Sequence, residues 1–268
     1  MMPDMDTRYL QVWREQAREH GIPEPDIDQW LGLARPLLWL HKVQDDPAAA
    51  NAPVVGYRGG HPSLPLDVEW PGGPDFVASV DCAALPSDLR GFPLPEDGHL
   101  LFFHNTEYMG PECDSPDDDG RVLYIPAGTP TAERVINTGR HLKVEPERIP
   151  LQCSSCWDPP HDCCGPIPDG FGQLTQHLED PRPAYLRDGA DDAMLLGGYC
   201  TTWTVDRCEL AEYTDPEHRK WRRLAFMPRE LIMNEEALPF LVHWIIREDD
   251  LAGKRFDRVR TYAEDLFT

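Results

Sequence analysis

The spacing of apolar residues changes period along the chain. Over "DTRYLQVWREQAREHG" (6–21), Tyr9, Leu10, Val12, Trp13 and Ala17 recur near helical spacing, and Gly21 is a natural stop. A second helix is predicted over "EPDIDQWLGLARP" (24–36), where Pro36 interrupts it or bends the chain. "LLWLHKV" then reads as a strand or a last helical piece. From Tyr57 onward, glycine and proline turns separate short apolar runs. "DFVASVD" (75–81), "GHLLFFHN" (98–105) and "GRVLYIP" (120–126) read as strands of an antiparallel sheet. Further on, "FGQLTQHL" reads as a helical turn and "AMLLGGYCTTWTV" as strand, turn, strand. "WRRLAFMP" and "PFLVHWIIR" read as strands. A short helix capped by Asp249 or Asp250 and a final strand "DRVRTYAE" end the chain. The fold class is α+β: antiparallel and β-rich, with N-terminal helices.

The two halves echo each other weakly. "GGHPSLPLDVEW" precedes the runs "FVASVD" and "HLLFF", and "GGYCTTW" precedes "RLAFM" and "FLVHWII". From the first glycine to the last run is 40 residues in one case (Gly59 to His99) and 43 in the other (Gly197 to Phe240). This spacing predicts two related β units, over 57–150 and 190–268. The implied division is a helical segment over 1–50 and a β-rich domain over 51–268, with a cysteine-rich loop at 151–170. Gly59 and Gly197 serve backbone turns. A cleft between the units, lined by Trp70, Trp203 or Trp244, would suit a small molecule, although core packing is the usual place for such residues.

Charge narrows the choice of partner. The chain of 268 residues carries 47 acids against 25 bases, a net charge of −22. Phosphate backbones are repelled by such a field, which argues against nucleic-acid binding, whereas a basic protein would be steered inward. Residues 91–120 hold eight acids and no Lys or Arg, but lack a full calcium-loop pattern. The first residues lack the apolar run of a signal peptide. The longest apolar run, Leu238 to Ile246, is far short of the ~20 residues that span a bilayer. The expectation is a cytoplasmic protein with no membrane association.

Four of the eight cysteines fall in "CSSCWDPPHDCCG" (153–165). Cys153 and Cys156 have the C-x2-C spacing with which a tight turn presents two thiolates to one tetrahedral ion. The remaining ligands of a structural Zn2+ site would come from Cys163, Cys164 and His161, with Cys200 and Cys208 as alternates. Adjacent cysteines point apart in extended chain, so Cys163 and Cys164 fit one ion poorly. Buried thiols without metal, or a disulfide, are the alternatives. A thioredoxin-like reading fails because Pro159 and Pro160 stop the helix that motif requires.

No nucleophile elbow, phosphate loop, dinucleotide fingerprint or H-E-x-x-H motif is present. His104 and His243 lie on apolar runs and read as core histidines. "HRKWRR" (218–223) is the single basic knot and reads as balancing nearby acids.

Four blocks resemble the YwqG-like family of bacterial proteins, a domain of unknown function: "LARPLLWL", "GGHPSLPLDVEWP" with "FVASVDCAALP", "LPEDGHLLFF", and "FLVHWIIREDDLAGKRFDRV". The chain departs from that pattern at "LLGGYCTTWTV", at "RLAFMP" and in the cysteine-rich stretch. The resemblance implies a fold and no activity. It also implies capping and packing roles for Asp250, Phe256 and Asp257. The leading functional expectation is a non-enzymatic protein-interaction module, of an immunity or regulatory kind. A metal-dependent enzyme or sensor at the cysteine-rich loop and a small-molecule binder are the alternatives.

Overall fold

The computed structural model describes residues 7–42, 52–68, 75–87, 89, 91–104, 120–135, 147–160, 177–181, 194–199, 221–233 and 236–265. Two helices lead the chain, α1 (Arg8–Glu19) and α2 (Glu24–Leu31). Their helical periodicity puts Trp13, Ala17, Ile27, Trp30 and Leu31 into one shared apolar cluster. Gly21, at φ +78°, makes the break between them. The Trp30 indole N–H donates to the Pro160 carbonyl at 2.9 Å, which fastens the pair to the sheet.

The second helix ends earlier than the sequence suggested. Pro36 disfavours helical backbone at Arg35, and the chain enters strand β1 (Arg35–Lys42). The helical segment expected over 1–50 therefore stops at Leu31. Strand β1 lies inside the main sheet, and both of its faces are covered. Leu38 and Leu40 face the large central core, while Leu37 and Trp39 face an outer cluster. A strand buried on both faces reads as continuous apolar chain, which is why its periodicity was ambiguous.

The other strands are β2 (Val54–Arg58), β3 (Ser63–Pro65), β4 (Asp75–Asp81), β5 (His99–His104), β6 (Gly120–Ile125), β7 (Thr131–Glu133), β8 (Ile149–Asp158), β9 (Met194–Gly197), β10 (Trp221–Met233), β11 (Glu236–Arg247) and β12 (Arg260–Asp265). Ten of them form one sheet in the order β12-β11-β10-β9-β1-β8-β2-β4-β5-β6, and β3 pairs with β7 in a separate ribbon. Every pairing is antiparallel.

The large sheet curls into a nearly closed barrel around the central core. At the seam, the Trp244 indole N–H on β11 donates to the Phe103 carbonyl on β5 at 3.0 Å. Phe102 and Trp244 meet edge to face, 5.5 Å between centroids. Gly120 on β6 lies against Thr261 on β12, where a Cβ would come within 2.6 Å of the Thr261 hydroxyl and of the Phe103 carbonyl. Among the described residues, three strands carry bulges, β2 between Val54 and Gly56, β4 between Phe76 and Ala78, and β10 between Arg223 and Ala225.

The closing helix α3 (Glu248–Ala252) follows β11 directly. Its N-cap is Arg247, and Asp249 and Asp250 stand inside its first turn, so neither is the cap the sequence suggested. Asp250 is buried and accepts from the Arg255 guanidinium at 2.7 Å, and Phe256 packs into the core. Among the described residues, no helix is long and apolar enough to cross a membrane.

Candidate functional site

The β3–β7 ribbon lies over the outer face of β4, β5 and β6. Leu64, from the ribbon, is fully buried against Phe76, Leu101, Phe103 and Ile125. At one end of this contact the two layers separate. The space between them is a cleft of about 160 Å³, lined by Gly59, His61, Pro62, Ser63, Phe76, Ser79, His99, Leu101, Ile125, Thr131 and Arg148. Phe76, edge to face with Phe103 at 5.6 Å, contributes to its apolar floor.

A double-glycine turn shapes the wall. Gly59 and Gly60 both adopt left-handed backbone, at φ +68° and +69°. That conformation carries little strain without a Cβ. The Gly59 N–H donates to the Val77 carbonyl at 3.0 Å, which ties the turn to β4. Arg148 packs over Gly60, where a Cβ would sit 3.1 Å from the Arg148 Cβ. The same arginine lies on the ring face of Tyr57, 3.8 Å from its centroid, a cation–π contact that fixes the guanidinium at the rim. His61 follows the turn directly. Its Nδ1 is shielded from solvent and meets no hydrogen-bonding partner among the described residues.

A second double-glycine turn follows β9. Gly197 and Gly198 are also left-handed, at φ +73° and +68°. Here the surroundings are filled. Arg223 donates to the Gly197 carbonyl at 2.7 Å, and the Asp158 carboxylate accepts the Tyr199 N–H at 2.7 Å. The Arg35 guanidinium stacks on the Tyr199 ring at 4.0 Å, and burial pulls its pKa down. His243, fully buried, lies against Phe226 with 4.8 Å between ring centroids. Burial, assisted by the neighbouring Arg223 charge, pushes its pKa down to about 3. This imidazole is neutral at any ordinary pH, as befits a packed core group.

The cysteines fall elsewhere. Cys153 and Cys156 lie on strand β8, not in a tight turn, so the loop expected over 151–170 begins later. Three residues apart on a strand, they point to opposite faces. Cys153 packs against the central core, and Cys156 is buried outside with Leu37, Trp39 and Leu195. The structure does not bring them to one point. Burial raises the Cys153 thiol to about 12. Cys163, Cys164, His161, Cys200 and Cys208 lie outside the described residues. Among the described residues, no group of three or more His, Cys, Asp or Glu side chains is placed to hold a metal ion.

Of the three tryptophans expected at a cleft, one falls within the described residues. Trp244 is wholly buried at the barrel seam, while Trp70 and Trp203 lie outside the described residues. His104 is buried beside Trp244, 6.5 Å between rings. Of the basic knot, Trp221 carries the Arg260 guanidinium over its ring, Arg222 pairs with Glu248 at 2.5 Å, and Arg223 holds the second glycine turn. The described part of the knot therefore works within the fold.

The cleft residues His61, Ser79, His99 and Arg148 were not singled out from the sequence. A histidine immediately after the paired glycines was the available signal. No curated protein matches the chain. The model of a family catalogued as a domain of unknown function, DUF1963, matches residues 58–264, and the chain belongs to that family.

Proposed function

We propose that this protein is a non-enzymatic binding module whose ligand sits in the cleft between the β3–β7 ribbon and the β4–β5 face. The observation that carries this reading is the cleft's composition. An apolar floor of Phe76, Leu101 and Ile125 is ringed by the polar groups of His61, Ser63, Ser79, His99, Thr131 and Arg148. A concave apolar surface with a few convergent polar groups is the usual form of a small-molecule site. Thr131 is exposed at the rim, so Thr131→Trp should block the entrance with little effect on folding. In a thermal-shift screen of small polar compounds, hits that stabilise the wild type should fail to stabilise Thr131→Trp. Equal stabilisation of both proteins by every hit would place the ligand elsewhere and end this reading.

The same reading includes two related β units with exchanged first strands. The sheet order supports it: β9, β10, β11 and β12 extend from β1, while β2, β4, β5 and β6 extend from β8. Each unit has a left-handed glycine pair after its first long-sheet hairpin strand, at Gly59–Gly60 and Gly197–Gly198. Each next strand has a bulge just before an alanine, Ala78 or Ala225. Those alanines pair with Phe102 and Trp244, the two rings that meet in the core. In this register Ser79 and Leu101 of the open cleft correspond to Phe226 and His243 of the filled region. An experimental structure whose four-strand units do not superpose in this register would refute the correspondence.

A further inference from the structure

We infer that the cleft takes an anionic group, a carboxylate or a phosphate; this rests on the cleft being the ligand site. The chain as a whole carries −22, yet none of the described residues lining the cleft is an Asp or Glu. The described lining holds one guanidinium, two imidazoles and three hydroxyls, all able to donate hydrogen bonds. In a chain with 47 acids, this local absence of carboxylates reverses the general charge pattern.

Arg148 is the group that fixes the class. Its guanidinium is held flat on Tyr57 at 3.8 Å. Among the described residues, no carboxylate lies within ion-pair reach of it. Stacking occupies the face of the guanidinium and leaves its edge donors available, the geometry that suits a carboxylate or phosphate. His61 adds a shielded ring nitrogen with no partner among the described residues. Buried polar nitrogens are nearly always hydrogen-bonded, so this unmet nitrogen marks His61 as unusual within the lining. The volume, about 160 Å³, is on the order of five water volumes and admits a headgroup, not a whole nucleotide. The long-range field of the chain opposes an anion, so the affinity must come from contact with these donors.

The test is an amide NMR titration of the full chain with inorganic phosphate, with acetate and with uncharged glucose. The expected result is a saturable shift of the Gly59, Gly60 and Ser79 signals with phosphate or acetate. Binding should weaken about tenfold or more in Arg148→Gln, as expected when a charge-assisted contact is lost, and survive in part in Arg148→Lys. Arg148 is exposed, so these variants should fold, and His61→Gln is an independent second probe. A response to phosphate alone identifies a phosphorylated ligand, and a response to acetate alone a carboxylate. Shifts that are unchanged in Arg148→Gln and His61→Gln overturn the inference. If glucose moves these signals and neither anion does, the cleft reading stands and the anion is wrong. If none of the probes moves them while other signals respond, both are wrong.

Discussion

His243 offers a direct measure of how tightly the filled side of the barrel is packed. The side chain has no solvent exposure, and its pKa falls from an ordinary 6.5 to about 3 because burial penalises the imidazolium and Arg223 repels it. Between those values the unfolded chain binds a proton that the folded chain does not, so stability rises with pH across this window. The contribution is whole above pH 6.5 and is lost as pH falls toward 3. Each pKa unit is worth about 1.4 kcal/mol, so the full window spans about 5 kcal/mol, and about 2 kcal/mol is lost by pH 5. His243→Phe keeps a ring of similar shape and removes the titration. Urea unfolding of both proteins at pH 7.5 and pH 5.0 gives a double difference in which the acids common to both cancel. The wild type should lose about 2 kcal/mol more than the variant. Parallel losses would show that the imidazole is hydrated or paired in its charged form, and would refute the packing argument.

Gly120→Ala should destabilise the barrel by about 1–3 kcal/mol, since its Cβ would come within 2.6 Å of the Phe103 carbonyl and the Thr261 hydroxyl. Unchanged chemical denaturation would mean that the β6–β12 seam is loose. Burial, the main cause at both sites, raises the thiols of Cys82 and Cys153 to about 12, so at pH 8 each has on the order of a thousandfold less thiolate than an ordinary cysteine. Mass-spectrometric mapping should find both sites unmodified by iodoacetamide in the folded protein and modified in urea. Labelling of Cys82 within minutes under native conditions contradicts its placement in the core, and labelling of the half-buried Cys153 contradicts its packing against that core.

Short apolar runs bounded by turn residues were legible as strands from the chain alone. "DFVASVD" is β4 at the predicted bounds, and "HLLFFH" is β5, because Leu100 and Phe102 face inward while Leu101 and Phe103 face the ribbon. Strand β8 was obscured by its own chemistry. The C-x2-C spacing suggested a turn, yet Leu151, Cys153 and Trp157 alternate with Gln152, Ser154, Cys156 and Asp158 as a strand requires. The strand order was not legible at all. Pairing of β1 with β8 joins segments over a hundred residues apart, and no local pattern records it. The cleft is hidden for the same reason: Arg148 reaches Gly60 and Tyr57 only because β8 lies beside β2.

The contrast between the two glycine turns gives the cleft its meaning. Around Gly197 the space is taken by the Pro36 carbonyl and Phe92, and Arg223 and Asp158 each hold a backbone partner. Around Gly59 the cleft is lined by Ser79, and Arg148 is committed to no carboxylate among the described residues. Filling a cleft over an apolar floor is an easy stabilising change, since each buried methylene contributes about 0.8 kcal/mol. Among the described residues, the space beside Gly197 is filled and a cleft remains beside Gly59. Among the described residues, the cleft beside Phe76 and Leu101 is lined by hydrogen-bond donors and no acids. That difference is the physical support for the ligand proposed at the first turn.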